Sequence, residues 1–188
     1  MNNLPEPYLE ILKETNELGF EQLSDEDTGS FLSTMCASKI NGVFLELGTG
    51  TGLSTAWMLK GMSSCSKLVT VDNDEALIKI AKQHLSIDSR VEFILSNGEE
   101  VIQELAPSSV DLIFADTWPG KYNHLETTLN LLKVGGLYII DDMTPIESWP
   151  ESHTQKAIKL ENSLNLKTNF TFTKLNWSTG LMVGVKNA

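Results

Sequence analysis

The sequence has no long hydrophobic run and little positive charge. No apolar stretch approaches the roughly 18 residues of a membrane-spanning helix, and the first residues lack the basic and apolar regions of a signal peptide. Lysine and arginine total 14 against 25 aspartates and glutamates, which gives a formal charge of −11. Since binding to a phosphate backbone needs clustered basic side chains, we expect neither nucleic acid nor a membrane as partner.

Cysteine is scarce as well. Cys36 and Cys65 are isolated and form no CxxC pair, which favours two free thiols in a cytoplasmic protein. The 188 residues are 41% hydrophobic, enough for a buried core without disulfides. We therefore expect one domain over residues 1–188, with leading helices in 1–42 and an α/β core in 43–188.

Strands and helices alternate over most of the chain. Apolar residues at helical spacing predict two leading helices, over 6–18 and 28–40. Short apolar runs then predict buried strands at 43–47, 67–72, 90–95, 110–116 and 136–141, alternating with helices at about 53–61, 76–85, 98–105, 121–133 and 151–164. Segments 169–175 and 181–185 enclose a short turn and predict a hairpin. The pattern predicts an α/β fold, a doubly wound Rossmann-like seven-stranded sheet, mostly parallel with a C-terminal antiparallel hairpin.

A glycine-rich turn follows the first predicted strand. It reads ELGTGTG over residues 46–52, and glycines at such a position allow a tight bend and the close approach of a ligand. The GxGxG spacing differs from the GxGxxG of dinucleotide enzymes. A purely structural turn between strand and helix is the alternative interpretation.

Polar residues end the next two predicted strands. Asp72 ends the second, where an acidic side chain can accept hydrogen bonds from both hydroxyls of a ribose. Capping of the next helix is the alternative role for Asp72, Asn73 and Asp74. Asn97 follows the third strand, where its amide suits the edge of an adenine. A turn formed by Asn97 and Gly98 is the alternative there.

Taken in order, these motifs resemble class I S-adenosylmethionine-dependent methyltransferases. The similarity rests on residues 46–52, Val71-Asp72, Asn97-Gly98, DLIFAD at 111–116 and LLKVGG at 131–136. Within that class the sequence is most similar to the catechol O-methyltransferase-like group of bacterial small-molecule O-methyltransferases. The resemblance implies S-adenosylmethionine as cofactor and methyl transfer to a hydroxyl oxygen of a small molecule. We also expect a homodimer.

The resemblance also implies which residues hold the cofactor. The glycine turn would hold the methionine part and Asp72 the ribose, with Asn97 and Glu99 near the adenine. Trp118 would pack on the ring or near the sulfonium, since an aromatic face attracts a cation, with ordinary packing as the alternative. The implied set is Glu46, Gly48, Thr49, Gly50, Gly52, Ser54, Asp72, Asn73, Asn97, Gly98, Glu99, Asp116 and Trp118.

Three aspartates end the fourth and fifth predicted strands. Metal-dependent members of the group use an acid after the fourth strand and an Asp-Asn pair after the fifth. Asp116, Asp141 and Asp142 are therefore the implied ligands of Mg²⁺ or another hard divalent cation. Asp142 stands where those members have Asn. Capping of the following turn by Asp141 and Asp142, without a metal, is the alternative.

The catalytic base departs from the group's pattern. Metal-dependent relatives commonly have a lysine where this chain has Pro119. Lys121 is close by but differently spaced, so Asp116, Asp142 and Lys121 are the catalytic candidates.

Three other side chains are weaker candidates. His124 is a possible base, but it falls inside a predicted helix, which favours a structural role. Trp149 and His153 follow the fifth predicted strand in a proline-containing loop. Loops at this end of a sheet carry function, so Trp149 would wall an apolar acceptor and His153 would be a base or a helix-start residue.

Three other functions fit parts of the pattern. A non-catalytic cofactor-binding or scaffold protein would keep the cofactor site alone. A nucleic-acid methyltransferase would share that site, but the charge of −11 argues against it. An aminopropyltransferase would hold a polyamine in an acidic cleft, but the residues after Asp116 match that family poorly.

Overall fold

The structure is a computed structural model that describes residues 4–144 and 151–188. The chain divides into two compact units, Met1–Gly98 and Glu99–Ala188. Each unit carries strands covered by helices.

The first unit is built on parallel strands. Its strand order is β3-β2-β1, with Leu45 opposite Val69 and Val69 opposite Glu92. In chain order its elements are α1 (Tyr8–Leu18), α2 (Glu26–Ala37), β1 (Val43–Leu47), α3 (Leu53–Gly61), β2 (Lys67–Asp72), α4 (Glu75–Leu85) and β3 (Val91–Leu95).

Strand β1 and helix α3 form the core of this unit. Phe44, Leu45 and Leu47 are at most 1% exposed, as expected for a strand buried on both faces. Every residue of α3 from Leu53 to Leu59 is buried. The turn that joins the two elements is therefore held from both sides by packed apolar side chains.

The second unit combines parallel and antiparallel pairing. Its strand order is β4-β5-β7-β6. Strand β5 pairs in parallel with β4 and antiparallel with β7, and β6 and β7 form an antiparallel hairpin. Its elements are α5 (Gly98–Glu104), which begins at the unit boundary, β4 (Val110–Ala115), α6 (Leu125–Leu131), β5 (Leu132–Ile140), α7 (Glu151–Asn165), β6 (Phe170–Leu175) and β7 (Leu181–Lys186).

These elements confirm the predicted fold class. The chain is α/β with seven strands, mostly parallel, and its C-terminal pair is the antiparallel hairpin. The expectation of a single domain over residues 1–188 stays a prediction.

The helix predicted over 121–133 is wrong at both ends, since α6 is Leu125–Leu131. The N–H groups of residues 121–123 all donate to the carbonyl of Trp118, which forms a compact turn instead of a helical ladder. His124 then takes a left-handed φ of 57°, a conformation that an α-helix does not accept. The helix can begin only after it.

Strand β5 begins earlier than the predicted residue 136. Leu132 already pairs with Val110 of β4, and the register shifts before Leu137 pairs with Leu112. Gly135 has a positive φ of 79° at this irregularity. The apolar run 136–141 therefore marks only the continuously buried part of the strand, since Leu132 is buried but residues 133–135 are not.

The sequence also led to expectations about membrane-spanning helices and about the two cysteines. Within the described part of the chain, no helix is long and apolar enough to cross a membrane. Cys36 and Cys65 are both free thiols, the first buried and the second exposed.

Candidate active site

The turn between β1 and α3 has three glycines in the left-handed half of conformational space. Gly48, Gly50 and Gly52 have φ values of 105°, 53° and 96°, which side chains disfavour. A Cβ on Gly52 would lie 2.9 Å from the Cβ of Ala81, whereas a Cβ on Gly50 would meet only Phe20, at 3.6 Å. Helix packing thus explains Gly52, and the surface of the turn stays open at Gly50.

Asp72 connects this turn to the end of β2. Its Oδ2 accepts a hydrogen bond from the N–H of Gly50 at 2.8 Å, and its Oδ1 accepts one from Asp74 at 3.0 Å. The capping role belongs to Asp74, whose side chain accepts from the N–H groups of Ala76 and Leu77. Asp72 is therefore free of helix capping and lies beside the glycine turn.

Glu46 is a fully buried carboxylate in β1. Its Oε2 accepts hydrogen bonds from the hydroxyls of Thr55 at 2.5 Å and Thr70 at 2.6 Å. Within residues 4–144 and 151–188, its Oε1 has no hydrogen-bond partner. Burial raises the pKa of Glu46 to about 7, although the hydrogen bonds act in the opposite direction. A buried oxygen without a donor is what a cationic ligand group would satisfy.

The other cofactor candidates of the first unit differ in exposure. Thr49 is buried in the turn and Ser54 is buried at the start of α3. Asn73 and Asn97 are exposed after β2 and β3, and Gly98 begins α5. Their polar groups are thus placed at strand ends and helix starts, as the sequence predicts.

A lysine and three aspartates form a cluster in the second unit. The Nζ of Lys121 lies 3.9 Å from the Oδ2 of Asp142, and only 3% of the lysine side chain is exposed. The carboxylates of Asp116 and Asp141 also attract the positive charge of Lys121. Burial lowers the pKa of Lys121, and the three carboxylates oppose that change. The structure thus brings the catalytic candidates Asp116, Lys121 and Asp142 into one electrostatic cluster.

Asp141 holds the turn that follows β5. Its Oδ1 accepts hydrogen bonds from the N–H of Asp142 at 2.7 Å and from the hydroxyl of Thr179 at 2.9 Å. Burial raises its pKa to about 6. Asp142 takes a left-handed φ of 58°, so the Asp141 hydrogen bonds stabilise an unusual backbone.

The same aspartates are the implied metal ligands. In the ranges 4–144 and 151–188, no three His, Cys, Asp or Glu side chains are grouped so as to hold a metal ion. One oxygen of Asp141 is engaged in two hydrogen bonds, and Asp142 lies beside an ammonium group. This arrangement does not fit a divalent cation as it stands, and the metal site stays a prediction.

Aromatic side chains lie next to this cluster in the second unit. Trp118 is 53% exposed, and the Nζ of Lys156 lies 3.6 Å from the centroid of its ring. Tyr122 meets Trp118 edge-on at 6.0 Å and His153 edge-on at 5.9 Å. Trp149 lies outside the described residues.

Glu99 and His124 contact each other in the second unit. The Nε2 of His124 lies 3.4 Å from the Oε2 of Glu99, in the first turn of α5. His124 itself is the residue before α6, not a member of the helix. Its contact with Glu99 favours the structural role.

Several residues that contact these groups were not identified from the sequence. Thr55 and Thr70 donate to Glu46, and Thr70 is also its partner in the β1–β2 register. This contact becomes predictable once the pairing is known. Thr179 and Lys156 are distant in sequence from the side chains they contact, and no local pattern identifies them.

A family model described as a methyltransferase domain matches residues 45–143. The chain belongs to the methyltransferase-domain family. The matched part of this methyltransferase domain includes the glycine turn, Asp72 and the aspartates after β4 and β5.

Relatives of the methyltransferase domain include proteins with assigned names. A protein of Mycobacterium ulcerans (strain Agy99), provisionally named an O-methyltransferase, is 32% identical over 117 residues. The match covers 60% of this chain and 52% of that protein. The chain thus spans about half the length of the curated relatives it matches.

Solved structures resemble the methyltransferase domain over nearly the whole chain. An O-methyltransferase from Bacillus cereus in complex with SAH has a TM-score of 0.86 at 20% identity, covering 100% of this chain and 93% of that one. An O-methyltransferase of tomaymycin synthesis from Streptomyces achromogenes, in complex with SAM, has a TM-score of 0.83 at 17% identity, with coverages of 97% and 90%. At these identities the likeness establishes the fold.

Proposed function

We propose that the protein is a methyltransferase that uses S-adenosylmethionine (SAM) to methylate a hydroxyl oxygen of a small molecule. The observation that carries the proposal is the hydrogen bond from the N–H of Gly50 to Asp72, which fixes an acidic side chain beside an open glycine turn. Membership of the methyltransferase-domain family supports the reaction class. Relatives named as O-methyltransferases support oxygen as the methyl acceptor.

The first unit offers groups that match the chemistry of SAM. The unpartnered Oε1 of Glu46 suits the ammonium of the amino-acid part. Each oxygen of Asp72 keeps a lone pair beyond its backbone hydrogen bond, which suits two ribose hydroxyls. Gly50 allows a ligand to approach the backbone, and the exposed amide of Asn97 suits an adenine edge. The cofactor supplies a methyl group activated by a sulfonium.

The second unit offers groups that can move a proton. A hydroxyl acceptor loses its proton as its oxygen takes the methyl group, and a carboxylate oxygen of Asp116 or Asp142 would accept that proton. The charge of Lys121 would attract the oxygen as negative charge develops on it. Positioning supplies the rest of the rate, because the leaving sulfur needs no protonation.

The charge of the whole chain favours a small acceptor over a polyanion. A formal charge of −11 repels nucleic acid and anionic membrane surfaces but does not hinder a neutral phenol or alcohol. A homodimer in the cytoplasm belongs to the same proposal.

Incubation with SAM and a panel of phenols, catechols and hydroxy acids tests the proposal. We expect an O-methylated product and an equal amount of S-adenosylhomocysteine (SAH) by mass spectrometry, and less of both in Asp72→Ala at SAM concentrations that do not saturate this variant. Binding of SAM without transfer to any panel member would instead favour a non-catalytic cofactor-binding protein. Absence of both binding and transfer by the folded protein would contradict the proposal.

A further inference from the structure

Lys121 is a buried lysine beside the aspartates that follow β4 and β5. Its side chain is 3% exposed, and an ammonium group buried this deeply is destabilising unless opposite charges surround it. The Oδ2 of Asp142 lies 3.9 Å away, and Asp116 and Asp141 add further attraction. The carboxylates that follow β4 and β5 thus already have a cation, and that cation belongs to the chain.

The contact with Asp142 leaves the N–H groups of the Lys121 ammonium unengaged by that carboxylate. A separation of 3.9 Å is an ion-pair distance, beyond the roughly 2.7–3.2 Å of an N–H···O hydrogen bond. Asp142 therefore balances the charge of Lys121 without accepting its hydrogen bonds. An acceptor oxygen that enters the cluster would receive them.

A divalent ion at the same carboxylates would compete with this lysine. It would lie within a few ångströms of the ammonium, and like charges repel strongly where water is excluded. Asp141 is also engaged by the N–H of Asp142 and the hydroxyl of Thr179. Asp142 supplies the negative charge that Lys121 balances.

We propose that Lys121 is the resident cation of this carboxylate cluster and positions the acceptor oxygen without a divalent metal ion. Its role toward the acceptor rests on the proposed function. The charge pairing within the second unit does not rest on the proposed function, so the pairing and the role toward the acceptor can be tested separately.

Titration with Mn²⁺, followed by the electron paramagnetic resonance of the free ion, tests the absence of a metal. We expect the wild-type protein to bind no Mn²⁺ at millimolar concentration, and its melting temperature to be the same with Mg²⁺ and with a chelator. Stoichiometric Mn²⁺ binding that is lost in Asp141→Asn would overturn the proposal.

A double-mutant cycle tests the charge pairing. Lys121→Met should lower the melting temperature by about 10 °C, because it leaves the buried Asp141 and the partly buried Asp116 and Asp142 without a cation. Adding Asp142→Asn should restore most of that loss. The control is Lys133→Met, which removes a lysine that is 43% exposed and paired with Asp111 at 2.7 Å, and should change the melting temperature little.

The folded double variant then tests the role toward the acceptor. With an acceptor found in the panel, its methyl transfer should fall roughly 100-fold below that of Asp142→Asn alone, which lacks the same carboxylate, while SAH binding, measured by calorimetry, is unchanged. Full activity of this variant, or no recovery of stability from Lys121→Met, would overturn the proposal. Failure of the wild-type protein to bind SAH would contradict the proposed function alone.

Discussion

At the scale of single residues, Asp72 and Asp74 show how two similar side chains acquire different tasks. Asp74 caps α4 by accepting two backbone hydrogen bonds. Asp72 instead accepts from Gly50 and keeps lone pairs beside the turn. Only one of the two should therefore matter for the cofactor.

Alanine variants of these aspartates separate the two tasks. Asp72→Ala should weaken SAH binding by about 10- to 100-fold, because hydrogen bonds to a charged group are lost. Asp74→Ala is the matched control and should lower the free energy of unfolding by about 1 kcal/mol with unchanged SAH affinity. Calorimetry and urea denaturation measure the two quantities, and equal SAH affinity in both variants would contradict the assignment.

Glu46 makes stability depend on pH. Burial raises its pKa from 4.5 to about 7 in the folded protein, so the folded state binds this proton more tightly than the unfolded chain. The contribution is complete below about pH 4.5 and is lost as pH rises through about 7. The pKa shift of Glu46 contributes at most about 3 kcal/mol to the free energy of unfolding.

The variant Glu46→Gln tests this dependence, since its amide does not titrate. Urea denaturation at pH 5 and pH 8 should show a smaller loss of stability in the variant than in the wild-type protein. Asp141 also titrates in this range, because burial raises its pKa to about 6, so the difference between the two proteins is the relevant quantity. Parallel pH profiles would show that Glu46 titrates normally.

At the scale of elements, the turn between β1 and α3 combines a packing constraint with an open surface. Gly52→Ala would place a Cβ 2.9 Å from Ala81 in a left-handed conformation and should cost about 3 kcal/mol or more. Gly50→Ala meets only Phe20 at 3.6 Å and should cost about 1 kcal/mol. Chemical denaturation measures both, and equal costs would contradict the packing at Gly52.

Three elements of the first unit were predictable to the residue because their boundaries have strong local signals, whereas α2 is Glu26–Ala37 and not the predicted 28–40. The strands Val43–Leu47 and Lys67–Asp72 have the predicted bounds, since each apolar run is bounded by polar residues or glycine. The helix Leu53–Gly61 also has the predicted bounds, with Gly52 in the left-handed conformation before it.

The segment around α6 could not be predicted in the same way. Its apolar spacing predicted a helix from residue 121, but three N–H groups converge on the carbonyl of Trp118 and His124 is left-handed. The burial of Lys121 follows from that turn, and lysines are rarely buried. Candidate residues were therefore predictable by type, whereas their mutual contacts depended on backbone geometry that no local pattern encodes.

At the scale of the whole molecule, sequence similarity and structural similarity cover different parts of the chain. The match to the Mycobacterium ulcerans relative covers 60% of the chain, whereas the fold of the Bacillus cereus enzyme covers all of it. The family model likewise ends at residue 143. The leading helices and α7 thus lie within the matched fold but outside the matched family segment.

A crystal structure of the protein with SAH tests whether the glycine turn and Asp72 bind the cofactor. The proposed function predicts SAH at the glycine turn, with its ribose hydroxyls within hydrogen-bond distance of the Asp72 carboxylate and its amino group near Glu46. Crystals grown with saturating SAH that show the ligand elsewhere, or an ordered turn with no ligand, would contradict the proposed function.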